Sequence, residues 1–106
     1  MKINCHCGAT IPDLTDGQPH KAHFIPDQDW WELREAIDSA IEKSGPSPRQ
    51  KEAACMQLST LLSRLSRQAW QCLDCGRVYL EQHDRSLQEF MPGSEAVTKE
   101  LFRSRP

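Results

Sequence analysis

Four of the five cysteines form two tight pairs near opposite ends of the chain: Cys5 and Cys7 in "INCHCGA", and Cys72 and Cys75 in "WQCLDCGRVY". Thiolates are soft ligands, and a tetrahedral Zn²⁺ takes four N or S donors at a little over about 2 Å. Two turns that each present two sulfurs can supply that set. A glycine follows the second cysteine of each pair, Gly8 and Gly76. Glycine tolerates positive φ there, so the backbone can curl and aim its N–H groups at the sulfurs, offsetting thiolate charge. Two pairs plus a lone Cys55 favour one metal site and a spare thiol over a disulfide framework. Four thiolates would close the site, whereas a catalytic zinc keeps one position open for water. No His-Glu-x-x-His motif occurs, and no acid is placed as a base beside a ligand. The expectation is one structural Zn²⁺ and no enzyme activity.

Other reactive side chains compete poorly for that role. His6 lies inside the first pair, and His20 and His23 have a His-x-x-His spacing that would suit ligands. With four cysteines present they read as strand or surface histidines, and His83 as solvated in "EQHDRS". Cys55 reads as a semi-buried small hydrophobe at the edge of a helical stripe, not as a nucleophile.

These residues need elements to position them. Residues 1–12 read as two short strands around the "CHCG" turn, Met1–Asn4 and Ala9–Ile11. "DLTDGQP" is turn-rich and "HKAHFIP" is a further short strand. Asp27 reads as the N-cap of a first helix whose apolar positions are Trp30, Leu33, Ile37, Ala40 and Ile41; Gly45 and Pro46 stop it. Ser47 reads as the next N-cap, with Pro48 at the first helical position and Gln50 completing a capping box. The second stripe is Ala54, Leu58, Leu61, Leu62, Leu65 and Ala69. The short break "SGPSP" predicts an antiparallel hairpin. Strands flank the second cysteine pair, "LQEFMP" is another, and a short helix with Val97, Leu101 and Phe102 on its apolar side is expected after Ser94.

The two Cys-Gly turns, each bordered by strand residues, resemble the two knuckles of a zinc ribbon. The resemblance covers about residues 1–12 and 70–91 and places Cys5, Cys7, Cys72 and Cys75 at ligand positions, with "CHCG" one residue shorter than the common knuckle. It implies a small antiparallel sheet built from both chain ends with the metal between hairpin tips. Cys-x-Cys-Gly with a later Cys-x-x-Cys is also similar to glutathione-dependent formaldehyde-activating-like proteins, but those are β-rich and this centre is helical. The expected fold is α+β: a zinc-ribbon-like sheet packed on a central helical hairpin. It is read as a single domain with a first knuckle region (1–26), a hairpin insertion (27–70) and a second knuckle region (71–106). Strands this short need metal binding to supply folding free energy, on the order of 10 kcal/mol for comparable sites.

The 106 residues carry a net charge of −2, with 38% hydrophobic and 26% charged residues. Such a balance argues against a general nucleic-acid binder. No run of about 18 apolar residues and no signal-like start is seen, so a cytoplasmic protein without membrane association is expected.

Charge is segregated between the helices. The first carries Asp27, Asp29, Glu32, Glu35, Asp38 and Glu42 against Arg34 and Lys43; the second carries Arg49, Lys51, Arg64 and Arg67 against Glu52. Helix pairing explains much of this. Trp30 should be core. Trp31 falls at the stripe's margin, where it either packs, the favoured reading, or anchors an interface. The expected function is a zinc-stabilised protein-binding module, an inhibitor or adaptor. Small acidic proteins of this style resemble immunity proteins that neutralise toxins. Its contact surface would be Trp31, Glu32, Glu35 and Asp38, facing a partner with a basic surface. The alternative is a nucleic-acid-binding ribbon of transcription or translation machinery using Arg64, Arg67, Arg77 and Arg85.

Overall fold

The computed structural model describes residues 2–94 and 98–105. Six strands and two helices follow the chain: β1 (Lys2–Asn4), β2 (Thr10–Pro12), β3 (Lys21–Phe24), α1 (Asp27–Lys43), α2 (Pro48–Leu65), β4 (Arg67–Gln71), β5 (Val78–Glu81) and β6 (Leu87–Phe90). The class is α+β, with antiparallel sheets drawn from both ends of the chain and a helical pair between them in sequence. Two compact units result, one of residues 1–24 and 67–106 and the other of residues 25–66.

In the first unit the strands divide between two antiparallel sheets. β1 and β2 form a two-stranded hairpin, with Ile3 opposite Ile11. The other four strands run in the order β3-β4-β5-β6. Side chains alternate along a strand, and this alternation sets the core. Ile3 and Ile11, opposite each other on the small hairpin, pack with Trp70 of β4 and Tyr79 of β5, alongside Cys5 and Cys72. Trp70 and Tyr79 are cross-strand partners, and Trp70 is 1% exposed. The Lys21 ammonium lies 5.6 Å from the Trp70 ring centroid and 2.8 Å from Asp13 Oδ1. A core this small leaves the two ends of the chain in need of a further tie.

β3 and β4 are antiparallel neighbours, Phe24 opposite Arg67 and Lys21 opposite Trp70. The helical segment is therefore an insertion between two paired strands, and it is shorter than the sequence suggests. α2 ends at Leu65, Ser66 is extended, and Arg67–Gln71 form β4. Ala69, which continues the helical stripe by spacing, instead sits 2% exposed in the sheet. There the backbone exchanges its helical bonds for pairing with Ala22 and Leu80.

In the second unit α1 starts at Asp27 itself. The N-cap is Pro26, with no side-chain cap bond, so Asp27 acts through the helix dipole rather than as the cap. α2 has the expected start: Gln50 N donates to Ser47 Oγ at 3.1 Å, Ser47 N donates to Gln50 Oε1 at 3.2 Å, and Pro48 is the first helical residue. Leu33 and Leu65 are the buried residues of the two helices. Trp30, expected in the core, is 43% exposed, and Trp31 is 64% exposed. A two-helix hairpin has one internal seam, too narrow to bury an apolar stripe that spans more than 80° of each helix.

Of the expected C-terminal helix, Val97 lies outside the described residues. Thr98–Arg105 are not helical and contain a turn at Leu101–Phe102. This segment is tied to the sheet by the buried Gln71. Its Nε2 donates to Thr98 O at 2.9 Å and its Oε1 accepts from Leu101 N at 3.1 Å.

Candidate metal centre

Each cysteine pair sits in a turn set by backbone bonds. Cys5 N donates to Ala9 O and Gly8 N to Cys5 O, while Cys72 N donates to Arg77 O and Gly76 N to Cys72 O. Gly8 and Gly76 have φ of 96° and 84°, the left-handed region that only glycine enters freely. The curl directs backbone N–H groups at sulfur. Cys7 N–H points to Cys5 Sγ, Ala9 N–H to Cys7 Sγ, Asp74 and Cys75 N–H to Cys72 Sγ, and Arg77 N–H to Cys75 Sγ. All four sulfurs are thereby served despite the shortened first turn.

The four sulfurs lie within 4.8 Å of one another. Cys5 Sγ is 3.6 Å from Cys75 Sγ, and Cys7 Sγ is 3.6 Å from Cys72 Sγ. Sulfurs about 2.3 Å from a common tetrahedral centre stand about 3.8 Å apart, so the spacing fits a tetrahedral metal. A disulfide would need about 2 Å. The nearest pairs run between the two turns, so an ion bound there ties the N-terminal hairpin to the β4–β5 turn. The cluster can hold a metal ion, with Cys5 and Cys72 buried, Cys75 half-buried and Cys7 exposed.

The thiols of the cluster do not ionise alike, Cys5 and Cys75 being lowered and Cys7 and Cys72 raised. Burial opposes ionisation of Cys5. The neighbouring Tyr79 hydroxyl, the Cys7 N–H and the Cys75 and Cys7 thiols outweigh burial and bring its pKa down to about 6. Burial dominates at Cys72 and pushes it up to about 12, against the N–H groups of Cys75 and Asp74. At Cys75 the Arg77 N–H and guanidinium overcome burial and lower the pKa. A dication that displaces the remaining protons lets all four sulfurs ionise together.

Three residues unidentified as site residues from spacing complete the surroundings. Arg77 Nη1 donates to Cys75 Sγ at 3.3 Å. Tyr79 hydroxyl donates to Glu89 Oε1 at 3.2 Å and accepts from His6 N at 3.3 Å. Glu89 Oε2 meets His6 Nδ1 at 2.5 Å, and Glu89 Oε1 stands 3.0 Å from Arg77 Nε. That last approach lies outside hydrogen-bond geometry, so it is an ion pair. The signal available in the sequence was the i, i+2 alternation of Arg77 and Tyr79, which puts both on one face of the strand after the second turn.

The remaining candidates fall elsewhere. His20 is buried with Nε2 2.7 Å from Pro12 O, and His23 is exposed; the metal cluster among the described residues contains neither. Cys55 is exposed rather than half-buried. Trp31, Glu32, Glu35 and Asp38 are all exposed on α1, with the Arg34 guanidinium 5.5 Å from the Trp31 ring centroid and Glu32 paired to Arg64 at 3.0 Å. Arg77 and Arg85 also have acidic partners, Glu89 and Glu81. No helix among the described residues is long and apolar enough to cross a membrane.

Fold and cluster together define a small α+β protein with a four-cysteine cluster that can hold a metal ion. The chain belongs to the family described as "Domain of unknown function (DUF8617)", whose model matches residues 1–102. Neither curated proteins nor solved structures gave a match.

Proposed function

We propose that this chain is a non-enzymatic, zinc-stabilised protein-binding module. Cys5, Cys7, Cys72 and Cys75 hold one Zn²⁺ as a structural ion. Sulfur-only donors at tetrahedral spacing suit zinc, which needs no redox partner and accepts that geometry without strain. Bound there it supplies cross-linking free energy to the sheet unit. A four-sulfur shell has no position for water or substrate, so the ion serves shape and not reaction.

The observation that carries the binding reading is Trp31, 64% exposed, on the acidic side of α1 with Glu32, Glu35 and Asp38. An exposed tryptophan among like charges is a typical anchor, and the acids favour a partner with a basic surface. The partner class in this reading is a protein that the module inhibits or adapts, as an immunity protein does a toxin.

The test is quantitative affinity capture from host extract with the wild type and a Glu32→Lys/Glu35→Lys double variant. The Glu32–Arg64 pair is solvent-exposed, so its loss costs little stability. Proteins with basic surfaces retained by the wild type and lost by the variant are expected. Identical capture by both contradicts the assignment of this face.

A further inference from the structure

Solvent does not reach the four thiols of the cluster equally. Cys5 is 6% and Cys72 1% exposed. Cys75 is half-buried, with the Arg77 guanidinium on its sulfur, and Cys7 is exposed. A small reagent arriving from solvent therefore meets the Cys7 sulfur first. Cys72 Sγ, in the other turn, stands 3.6 Å from it. An S–S bond is about 2 Å long, so the two sulfurs need to close by about 1.5 Å. An accessible thiol beside a sheltered one within reach is the arrangement that captures an oxidised sulfur as a disulfide.

We infer that Cys7 is an oxidation site for hydrogen peroxide and that Cys72 resolves it, so that a disulfide replaces the metal as the tie between the two turns. This rests on the zinc site proposed above, in which every ligand cysteine is a thiolate. The Cys7 thiolate attacks one peroxide oxygen. An S–O bond forms, the O–O bond breaks, hydroxide leaves, and the sulfur is oxidised by two electrons to a sulfenic acid. The Cys72 thiolate then attacks that sulfur. The S–S bond forms, the S–O bond breaks, and a second hydroxide leaves; both hydroxides take protons from solvent. Cys5 and Cys75 remain, two donors short of a tetrahedral set, and the ion is released.

The position of the pair decides what oxidation does to the fold. Cys7 lies between β1 and β2, and Cys72 follows β4. Their disulfide joins the same two turns that the ion joins. Peroxide thus removes the metal and keeps the connection, whereas a chelator removes both. A disulfide within either turn would leave the two ends of the chain untied. Cys55 is exposed as well, but it lies on α2 and outside the cluster, so its oxidation does not touch the ion.

The test is a hydrogen peroxide titration of the zinc-loaded Cys55→Ser chain, in which the cluster holds the only thiols. A chromogenic chelator reads released zinc, tryptic mapping in acid reads the linkage, and native mass spectrometry reads the fold. One disulfide per zinc released is expected, joining the peptides of residues 3–21 and 68–77. Fragment ions should assign it to Cys7 and Cys72. The narrow charge distribution of a folded chain should persist, and dithiothreitol with added zinc should restore the starting mass. A first product linked within one turn or between Cys5 and Cys75, sulfinic acid without a disulfide, or broad charge states in the linked chain overturns the inference. So does a chain that keeps its zinc and four reduced thiols in excess peroxide. Zinc content before peroxide separates the two readings: zinc absent at that point overturns the metal reading and this inference with it, whereas zinc present with any of the contrary outcomes overturns this inference alone.

Discussion

Glu89 holds Arg77 against the sulfur cluster. The Arg77 Nε is 3.0 Å from Glu89 Oε1, and the Nη1 of the same guanidinium donates to Cys75 Sγ at 3.3 Å. Glu89 also meets His6 from the first cysteine turn and Tyr79 from β5. One carboxylate on β6 thus anchors side chains from both halves of the centre. At about 20% side-chain exposure, Arg77 and Glu89 are screened far less than a surface pair.

Replacement of Glu89 by Gln should therefore weaken metal binding although it touches no sulfur. Partners of metal ligands typically contribute about 10–100-fold in affinity. Competition with a chromogenic chelator measures the change, and an affinity equal to wild type contradicts the role given to Glu89.

The start of α2 depends on a small residue before it. A Cβ on Gly45 would overlap the Gln50 side-chain amide, the group that accepts from Ser47 N and completes the capping box. Gly45→Ala should displace Gln50 and cost about 1 kcal/mol, similar to Ser47→Ala. The two costs should fall short of additive in the double variant, because both remove one motif. Urea unfolding followed at 222 nm reads all three.

Asp13 gives a pH dependence whose sign is defined. A hydrogen bond from Lys21 at 2.8 Å, aided by Gln18 and opposed by burial, holds the Asp13 carboxyl below the usual carboxylate range. A depressed native pKa stabilises the fold above the unfolded value of about 4 and is lost as pH falls through the lower native value. Asp13→Asn should cost about 1 kcal/mol at pH 7, and the gap from wild type should close as pH drops below about 4. A gap constant across that range contradicts the assignment.

Local chemistry made much of this molecule readable. The capping box at Ser47, the stop at Gly45–Pro46 and both glycine-closed cysteine turns depend on nearest neighbours, and those appear as expected. The four sulfurs were readable as one site because paired Cys-Gly turns have few other structural uses. What escaped was set by distant contacts. Ala69 keeps the helical period of α2 and Arg67 reads as part of the same helix, yet pairing with β3, and of Ala69 also with β5, draws them into a strand. Trp30 has core spacing, but a two-helix unit has too little interior for it. Glu89 is unremarkable in "LQEFMP"; only the register that sets Glu89 opposite Tyr79 brings it to the centre.

The central claim is that one zinc ion held by Cys5, Cys7, Cys72 and Cys75 folds the sheet unit. Native mass spectrometry of the purified chain before and after chelation, beside Cys55→Ser and Cys72→Ser variants, tests it most directly. One zinc per chain in the wild type and in Cys55→Ser, its absence in Cys72→Ser, and a shift to highly charged, unfolded ions on chelation are predicted. A wild-type chain that carries no metal yet keeps the narrow charge distribution of a folded protein would contradict it.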